Sequence, residues 1–359
     1  MKPSVVIDAC SGAAAPGGIV AAAARMARLG VARVVLVGDL PMLQAQLNLV
    51  PYNPMTLRLV AANAPLLPGL SDTRSQAANA RAVLPVAMAL LRDGEADALI
   101  TAAPQDIVYE MAQLHLPRLP GCEALASAAV FPTVARSSGK DPLALLLDVS
   151  GKRTQTAADL VAFAKLGSTY SRVVTGVSQP SVALLSTGLD AGDGPPEVVE
   201  AHTRLRATPG VRFVGNVRAV DLSRGFADVV VADGLQGHTV RGLMEGLTTL
   251  TVEAARYAWK TKVTWRIGLR LLAKGVAMLR KVSEFREYGG APTLGLQHLV
   301  LVANPDSREI AFENALKLAA RCLHRDLQGE LAKAMQPQAE PERGPQVRKP
   351  RRGREVIGG

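Results

Sequence analysis

Apolar residues along this chain gather in short unbroken runs, and between the runs they recur at three- and four-residue steps. The runs are "SVVI" at Ser4, "RVVLVGD" at Arg33, "ADALITA" at Ala96, "PLALLLDVS" at Pro142, "SVALLSTG" at Ser181, "VRFVGNV" at Val211, "ADVVVADG" at Ala227 and "HLVLVAN" at His298. Nearly continuous apolar runs of this kind predict strands covered on both faces. The periodic stretches, among them "IVAAAARMARLG" from Ile19, "AVLPVAMALLRDG" and "AADLVAFAKLGSTYSRVV", predict helices. Their alternation predicts an α/β fold, a three-layer α/β/α sandwich around a mostly parallel sheet.

Ligands of such sheets bind beyond the carboxyl ends of the strands. That rule points to Asp8, Asp39, the segment after Thr101, Asp148, Thr187 to Gly194, Asn216 and Asp233 to His238. The first of these ends opens "DACSGAAAPGG", a small-residue loop between a strand and a helix, where backbone N–H groups converge on anions in many proteins. It contains neither GxGxxG nor GxxxxGK[ST], which speaks against a dinucleotide-binding oxidoreductase and a nucleotide P-loop.

One segment departs from the rest. From Val240 to Phe285 the chain carries both tryptophans, Trp259 and Trp265, and the row Lys262, Arg266, Arg270 and Lys274 at four-residue steps. Basic residues on one face with Trp and Leu on the other suit a helix lying on an anionic membrane. They equally suit a helical hairpin that packs its apolar face in a dimer. The expected organisation is one α/β domain over residues 1–335, with this hairpin at about 240–285, followed by a disordered, basic, proline-rich tail over 336–359.

Charge follows the same division. The net charge of +10 resides in eight basic residues between Ala254 and Ser283, without an acidic one, and in a net +3 from Gln336 onward; the remainder is near neutral. The positive charge therefore belongs to two segments, and the tail has no aromatic residue to stack on bases, so no nucleic-acid partner is expected. Cys10, Cys122 and Cys322 lack CxxC spacing, and the five histidines lack HExxH spacing, so neither disulfides nor a metal are expected. No run reaches the roughly 18 apolar residues of a membrane span, which predicts a soluble or peripheral protein in a reducing compartment.

Read together, "FVGNVRAVDLSRGFADVVVADGLQGH" from Phe213 and "EYGGAPTLGL" from Glu287 resemble the PlsX family of phosphate acyltransferases. The collinear "DAC.G...P", "LVGD", "LLLDV", "LVAFAKLGSTYSRVVTGV" and "A..NAL" extend the resemblance over about residues 4–325. It implies a dimeric, isocitrate dehydrogenase/phosphotransacetylase-like sandwich in the cytoplasm, touching the membrane peripherally through a helical hairpin. It also implies transfer of an acyl group from acyl carrier protein, or acyl-CoA, to inorganic phosphate in phospholipid synthesis, without a cofactor or metal.

Such chemistry needs phosphate held beside a thioester carbonyl and donors for the oxyanion. Catalysis is expected at Asn216, Asp233 and His238, and phosphate or substrate binding at Asp8, Gly12, Asp148, Gly188 and Arg218, although His238 stands where the family has an asparagine and Arg218 where it has an acidic residue. Trp259, Lys262, Trp265, Arg266, Arg270 and Lys274 form the expected membrane or partner face. Departures cluster in the glycine-rich loops. Where the family reads DAMGGDxxP, Ser11 and Ala13 replace a glycine and an aspartate; where it reads SAGNTGA, the chain has "TAAPQDI", whose Pro104 lacks an N–H. A lysine usual before Glu197 is missing. Two readings follow: an active enzyme in which Arg218, Lys152 or His238 supplies that charge, or a silent paralogue that keeps the dimer, the hairpin and the carrier-protein surface.

Overall fold

The computed structural model describes residues 2–62, 82–133, 143–151, 155–271 and 289–336. Among them the eight runs form β1 (Ser4–Asp8), β2 (Arg33–Gly38), β4 (Ala98–Thr101), β6 (Leu143–Leu147), β7 (Ser181–Leu185), β8 (Arg212–Val217), β9 (Val229–Val231) and β11 (Leu299–Val302). Three further strands escape the apolar pattern: β3 (Leu57–Ala61), β5 (Ala126–Pro132) and β10 (Ala291–Leu294). The first is a half-exposed edge strand, the second is alanine-rich and the third contains Pro292, so none reads as a continuous apolar run.

Helices follow most of the strands: α1 (Gly17–Arg28), α2 (Leu40–Leu47), α3 (Val83–Arg92), α4 (Gln105–His115), α5 (Ala157–Thr175), α6 (Pro196–Arg206), α7 (Gly234–Thr261), α8 (Val263–Leu271), α9 (Glu309–His324) and α10 (Leu327–Met335), with a 3-10 turn at Ala219–Arg224. Side chains alternate across the sheet, so it is covered on both faces. Val5 and Ile7 of β1 belong to one apolar core with Ile19 of α1, Phe163 of α5 and Phe312 of α9, while Val6, on the other face, belongs to a second core with Leu84 and Met88 of α3 and Val108 of α4. The central helix α5 starts at a capping box, in which Thr156 and Asp159 satisfy each other's backbone N–H groups, and stops at Gly176 with φ 80°.

The described strands form one sheet in the order β3-β2-β1-β4-β11-β10-β5-β6-β9-β7-β8. It consists of two parallel blocks, β3-β2-β1-β4-β11 and β6-β9-β7-β8, joined by antiparallel pairings through β10 and β5. The blocks therefore run in opposite directions, which the alternating sequence pattern does not reveal.

Register sets their relative height. Thr101, the last residue of β4, is level with Val302 and Ala291, while Thr293 faces Ser127 in β5. From Ala128 onward β5 pairs with β6, whose last residue Leu147 faces Ala128. The carboxyl ends of β4 and β6 thus arrive at nearly the same level from opposite directions. Four strand spacings, roughly 19 Å, separate them. The helices that follow β4 and β9 meet across a cleft between the two blocks, where Arg241 of one is hydrogen-bonded to Gln105 of the other.

Within α7 only Gly234 and Gly237 are buried, so the helix soon leaves the domain. It breaks at Lys262, with φ −136° and ψ 140°, and α8 follows, bringing Arg270 within 5.6 Å of the Trp259 ring. These two helices occupy the first part of the span, about 240–285, in which a hairpin is expected. Its remainder, with Lys274, and the tail from 337 onward lie outside the described residues.

Candidate active site

The first loop is held by its own side chains. Asp8, almost fully buried, accepts from the N–H groups of Cys10 at 3.0 Å and Ser11 at 3.2 Å, and its other oxygen accepts from the Thr101 hydroxyl at 2.8 Å. Ala13 N–H donates to the Pro305 carbonyl at 2.7 Å and Ala15 N–H to the Gly12 carbonyl at 3.2 Å. Gly12 stands at φ +88° with Ala102 so near that an added Cβ would lie 2.7 Å from its methyl group, so only glycine fits this turn. Asp8 and Gly12 therefore shape the loop, and four of its N–H groups already have protein acceptors.

Asp148 plays the same part on the other side of the cleft. It is fully buried and accepts from Ser127 N–H at 2.8 Å, Ser150 N–H at 2.9 Å, Gln155 Nε2 at 3.0 Å and the Ser150 hydroxyl. Burial outweighs these donors and pushes its carboxyl up to about 6. Gln155 reaches on to Gly234 N–H at 3.2 Å, which ties the end of β6 to the start of α7. There Asp233 caps the helix, accepting from Leu235 and Gln236 N–H at 3.0 Å each. The helix comes so close that a Cβ on Gly237 would lie 1.8 Å from the Asp148 carbonyl oxygen.

Asn216 lies inside β8 rather than beyond its end. Its Oδ1 lies 2.8 Å from His202 Nδ1 and its Nδ2 donates to the Asp190 carbonyl at 2.7 Å. His202 in turn presents its ring edge-on to Phe213, centroids 5.0 Å apart. The pair fixes the loop that begins near Gly188, where Asp193 accepts from Asp190 N–H at 2.9 Å and crowds Gly188 itself.

Three residues were expected to replace the missing lysine. Arg218 bonds Asp221 through Nε at 2.8 Å, and that bond, with Arg224 alongside, holds the Asp221 carboxyl below its ordinary range. His238 is exposed, its Nδ1 3.4 Å from the Val149 carbonyl. Lys152 lies outside the described residues.

The structure brings forward a different cation, Arg241, which sequence reasoning passed over. Its side chain is 28% exposed, and Nη1 donates across the cleft to the side-chain oxygen of Gln105, at the start of α4. Nε faces Glu245 at 3.4 Å, close enough for an ion pair but without hydrogen-bond geometry. The signal lay in helical spacing: Gly234, Gly237 and Arg241 follow at steps of three and four along the face that meets β6. Opposite it, α4 begins at Pro104 with no side-chain cap, and its first turn carries Asp106. A helix N-terminus and a half-buried guanidinium facing each other can hold an anion, and Asp106 and Glu245 oppose one.

Comparison with known proteins decides the family. Residues 4–329 match the family described as fatty acid synthesis protein. The chain is 30% identical to a phosphate acyltransferase of Brevibacillus brevis, covering 92% of this chain and 97% of the relative. A phosphate acyltransferase of Citrifermentans bemidjiense is 32% identical, with 92% of each chain covered. The chain belongs to the PlsX family of phosphate acyltransferases. Among solved structures, a phosphotransacetylase from Streptococcus pyogenes superimposes with a TM-score of 0.56 at 16% identity, covering 90% of this chain and 94% of that one. EutD phosphotransacetylase from Staphylococcus aureus gives 0.54 at 15% identity, covering 89% and 94%. These likenesses establish the sandwich fold; the assignment to the PlsX family rests on the sequence relatives.

The basic corner of this PlsX family member is built at the α7–α8 break. Lys262 lies over the Trp265 ring at 5.2 Å, Arg270 over the Trp259 ring at 5.6 Å, and Arg266 Nε donates to the Trp259 carbonyl at 2.8 Å. Trp259, Trp265, Val263, Ile267 and Leu271 are all exposed there. Among the described residues no helix is long and apolar enough to cross a membrane.

Proposed function

We propose that this chain transfers the acyl group of an acyl carrier protein thioester, or of acyl-CoA, to inorganic phosphate, at a weakened site between the two strand blocks. A phosphate oxygen bonds to the thioester carbonyl carbon, the carbon–sulfur bond breaks, and the thiol leaves with the proton that phosphate brought. The observation that carries this reading in a PlsX family member is Arg241, a half-buried cation bonded to Gln105 across the cleft. Phosphate seated between Arg241 and the first turn of α4 meets a guanidinium that can bind it through two N–H groups. Asp106 and Glu245 reduce that attraction, which supports the weakened site. The homodimer, the use of the product in phospholipid synthesis and contact with an anionic membrane through the tryptophan corner belong to the same proposal.

One observation favours the silent paralogue as a second reading: four N–H groups of the first loop already have protein acceptors. The deciding experiment incubates purified protein with palmitoyl-acyl carrier protein and phosphate and traps acyl phosphate as its hydroxamate. Phosphate-dependent product supports the enzyme; its absence from folded protein, with a loop-intact relative active alongside, supports the paralogue.

A further inference from the structure

Beside the cleft lies an apolar groove of about 530 Å³, enclosed by the ends of β5 and β6, the 3-10 turn and α7. Phe131, Leu146, Val220, Leu222, Val240 and Met244 are among the apolar residues that line it. Its polar groups are few and largely engaged. The Thr248 hydroxyl donates to the Met244 carbonyl at 2.9 Å, and Glu245 faces Arg241. Arg241 therefore belongs to two places at once, lining the groove while its Nη1 reaches Gln105 in the cleft.

We propose that this groove binds the hydrocarbon chain of the acyl donor, with the thioester end at Arg241. The inference rests on the acyl-transfer reading, and three features of the groove support it. Its volume falls within the range of small-molecule sites. The surface away from Arg241 is predominantly apolar, with Ser223, Glu245 and Thr248 as its other polar residues, matching a ligand with one polar end and a methylene tail. Finally, phosphate and the thioester carbonyl must approach within about 3–3.5 Å to react, so a chain leading away from Arg241 starts where phosphate is proposed to sit. Each methylene withdrawn from water into such a surface strengthens binding by roughly fourfold at most.

The test measures equilibrium binding of acyl carrier protein bearing a non-hydrolysable palmitoyl or butyryl thioether, without phosphate, to the full-length protein. Val220→Trp fills the groove from an exposed position, and Leu243→Glu places a carboxylate on its wall; both wild-type residues are more than half exposed, so the fold tolerates the change. The expected result is palmitoyl binding at least about tenfold tighter than butyryl binding, with that preference lost in both variants and butyryl binding retained. The proposal is overturned by equal affinity for the two chains, by failure of both to bind, or by variants that leave the preference intact. A change in oligomeric state with the preference intact also overturns it, and assigns the groove to a second copy of the chain. Because the assay needs no turnover, a groove-dependent preference without acyl phosphate formation would leave this inference standing and remove the enzymatic reading alone.

Discussion

Arg241, on the helix that follows β9, donates a hydrogen bond to Gln105, on the helix that follows β4. These helices belong to strand blocks of opposite direction, so the bond spans the cleft that the sheet topology creates. The proposed chemistry places phosphate against that guanidinium. Gln105→Ala, which frees the guanidinium without removing its charge, should change kcat/KM for phosphate by less than about tenfold, well below the two to three orders of magnitude typical of losing a key transition-state donor. Initial rates across a phosphate series measure it.

Asp106 adds a negative charge to the turn of α4 that faces Arg241. Helix-terminal charges contribute about 0.3–1 kcal/mol, or roughly two- to fivefold in affinity. Asp106→Asn should lower the KM for phosphate by that factor, and the gain should shrink as salt rises. An unchanged KM would place phosphate elsewhere.

Asn216 and His202 form a buried pair that also holds the Asp190 carbonyl. Asn216→Ala leaves both partners without their bond, which should cost about 1–3 kcal/mol of stability. Chemical unfolding checks this: a midpoint shifted to lower denaturant with an unchanged slope is expected.

Asp148 should give an unusual pH dependence. Its folded carboxyl is raised from 3.8 to about 6 by burial, so the folded state holds a proton that the unfolded chain releases between those values. The resulting stabilisation is fully present below pH 3.8 and is lost as pH rises through about 6. Its full size is on the order of 3 kcal/mol, at roughly 1.4 kcal/mol per tenfold. The protonated oxygen can donate to the neighbouring Ser150 hydroxyl. Unfolding of wild type and Asp148→Asn across this window should show the wild type losing stability relative to the variant as pH rises.

The tryptophan corner predicts salt-sensitive attachment to vesicles containing phosphatidylglycerol. Each basic residue near such a surface is worth about 1 kcal/mol, roughly fivefold in partitioning. Lys262→Ala and Arg270→Ala should each weaken cosedimentation by that factor, and Trp259→Ala with Trp265→Ala should weaken it even at low salt. Binding indifferent to all four would favour the dimer role for this segment.

Much of the fold was legible because buried parallel strands appear as unbroken apolar runs. The two directions of those strands were not legible, since they depend on β5 and β10, whose alanines and Pro292 disguise them. The candidate site was legible in its positions more than in its contacts. Asp8, Asp148 and Asp233 stand at the loops the sequence indicated, yet their oxygens accept from nearby N–H and hydroxyl groups, which only coordinates display. Arg241 went unnoticed because it precedes a long basic segment in the sequence, while folding sets it apart at the cleft.

The central claim is that this cleft forms acyl phosphate with Arg241 as its cation. Its most direct test is hydroxamate-trapped acyl phosphate from palmitoyl-acyl carrier protein, measured against phosphate concentration for wild type, Arg241→Lys and Arg241→Ala. The account predicts saturable product from wild type, a kcat/KM for phosphate lower by about a hundredfold in Arg241→Ala, and partial recovery in Arg241→Lys. Equal phosphate dependence in all three proteins, or no product from folded wild type, would contradict it.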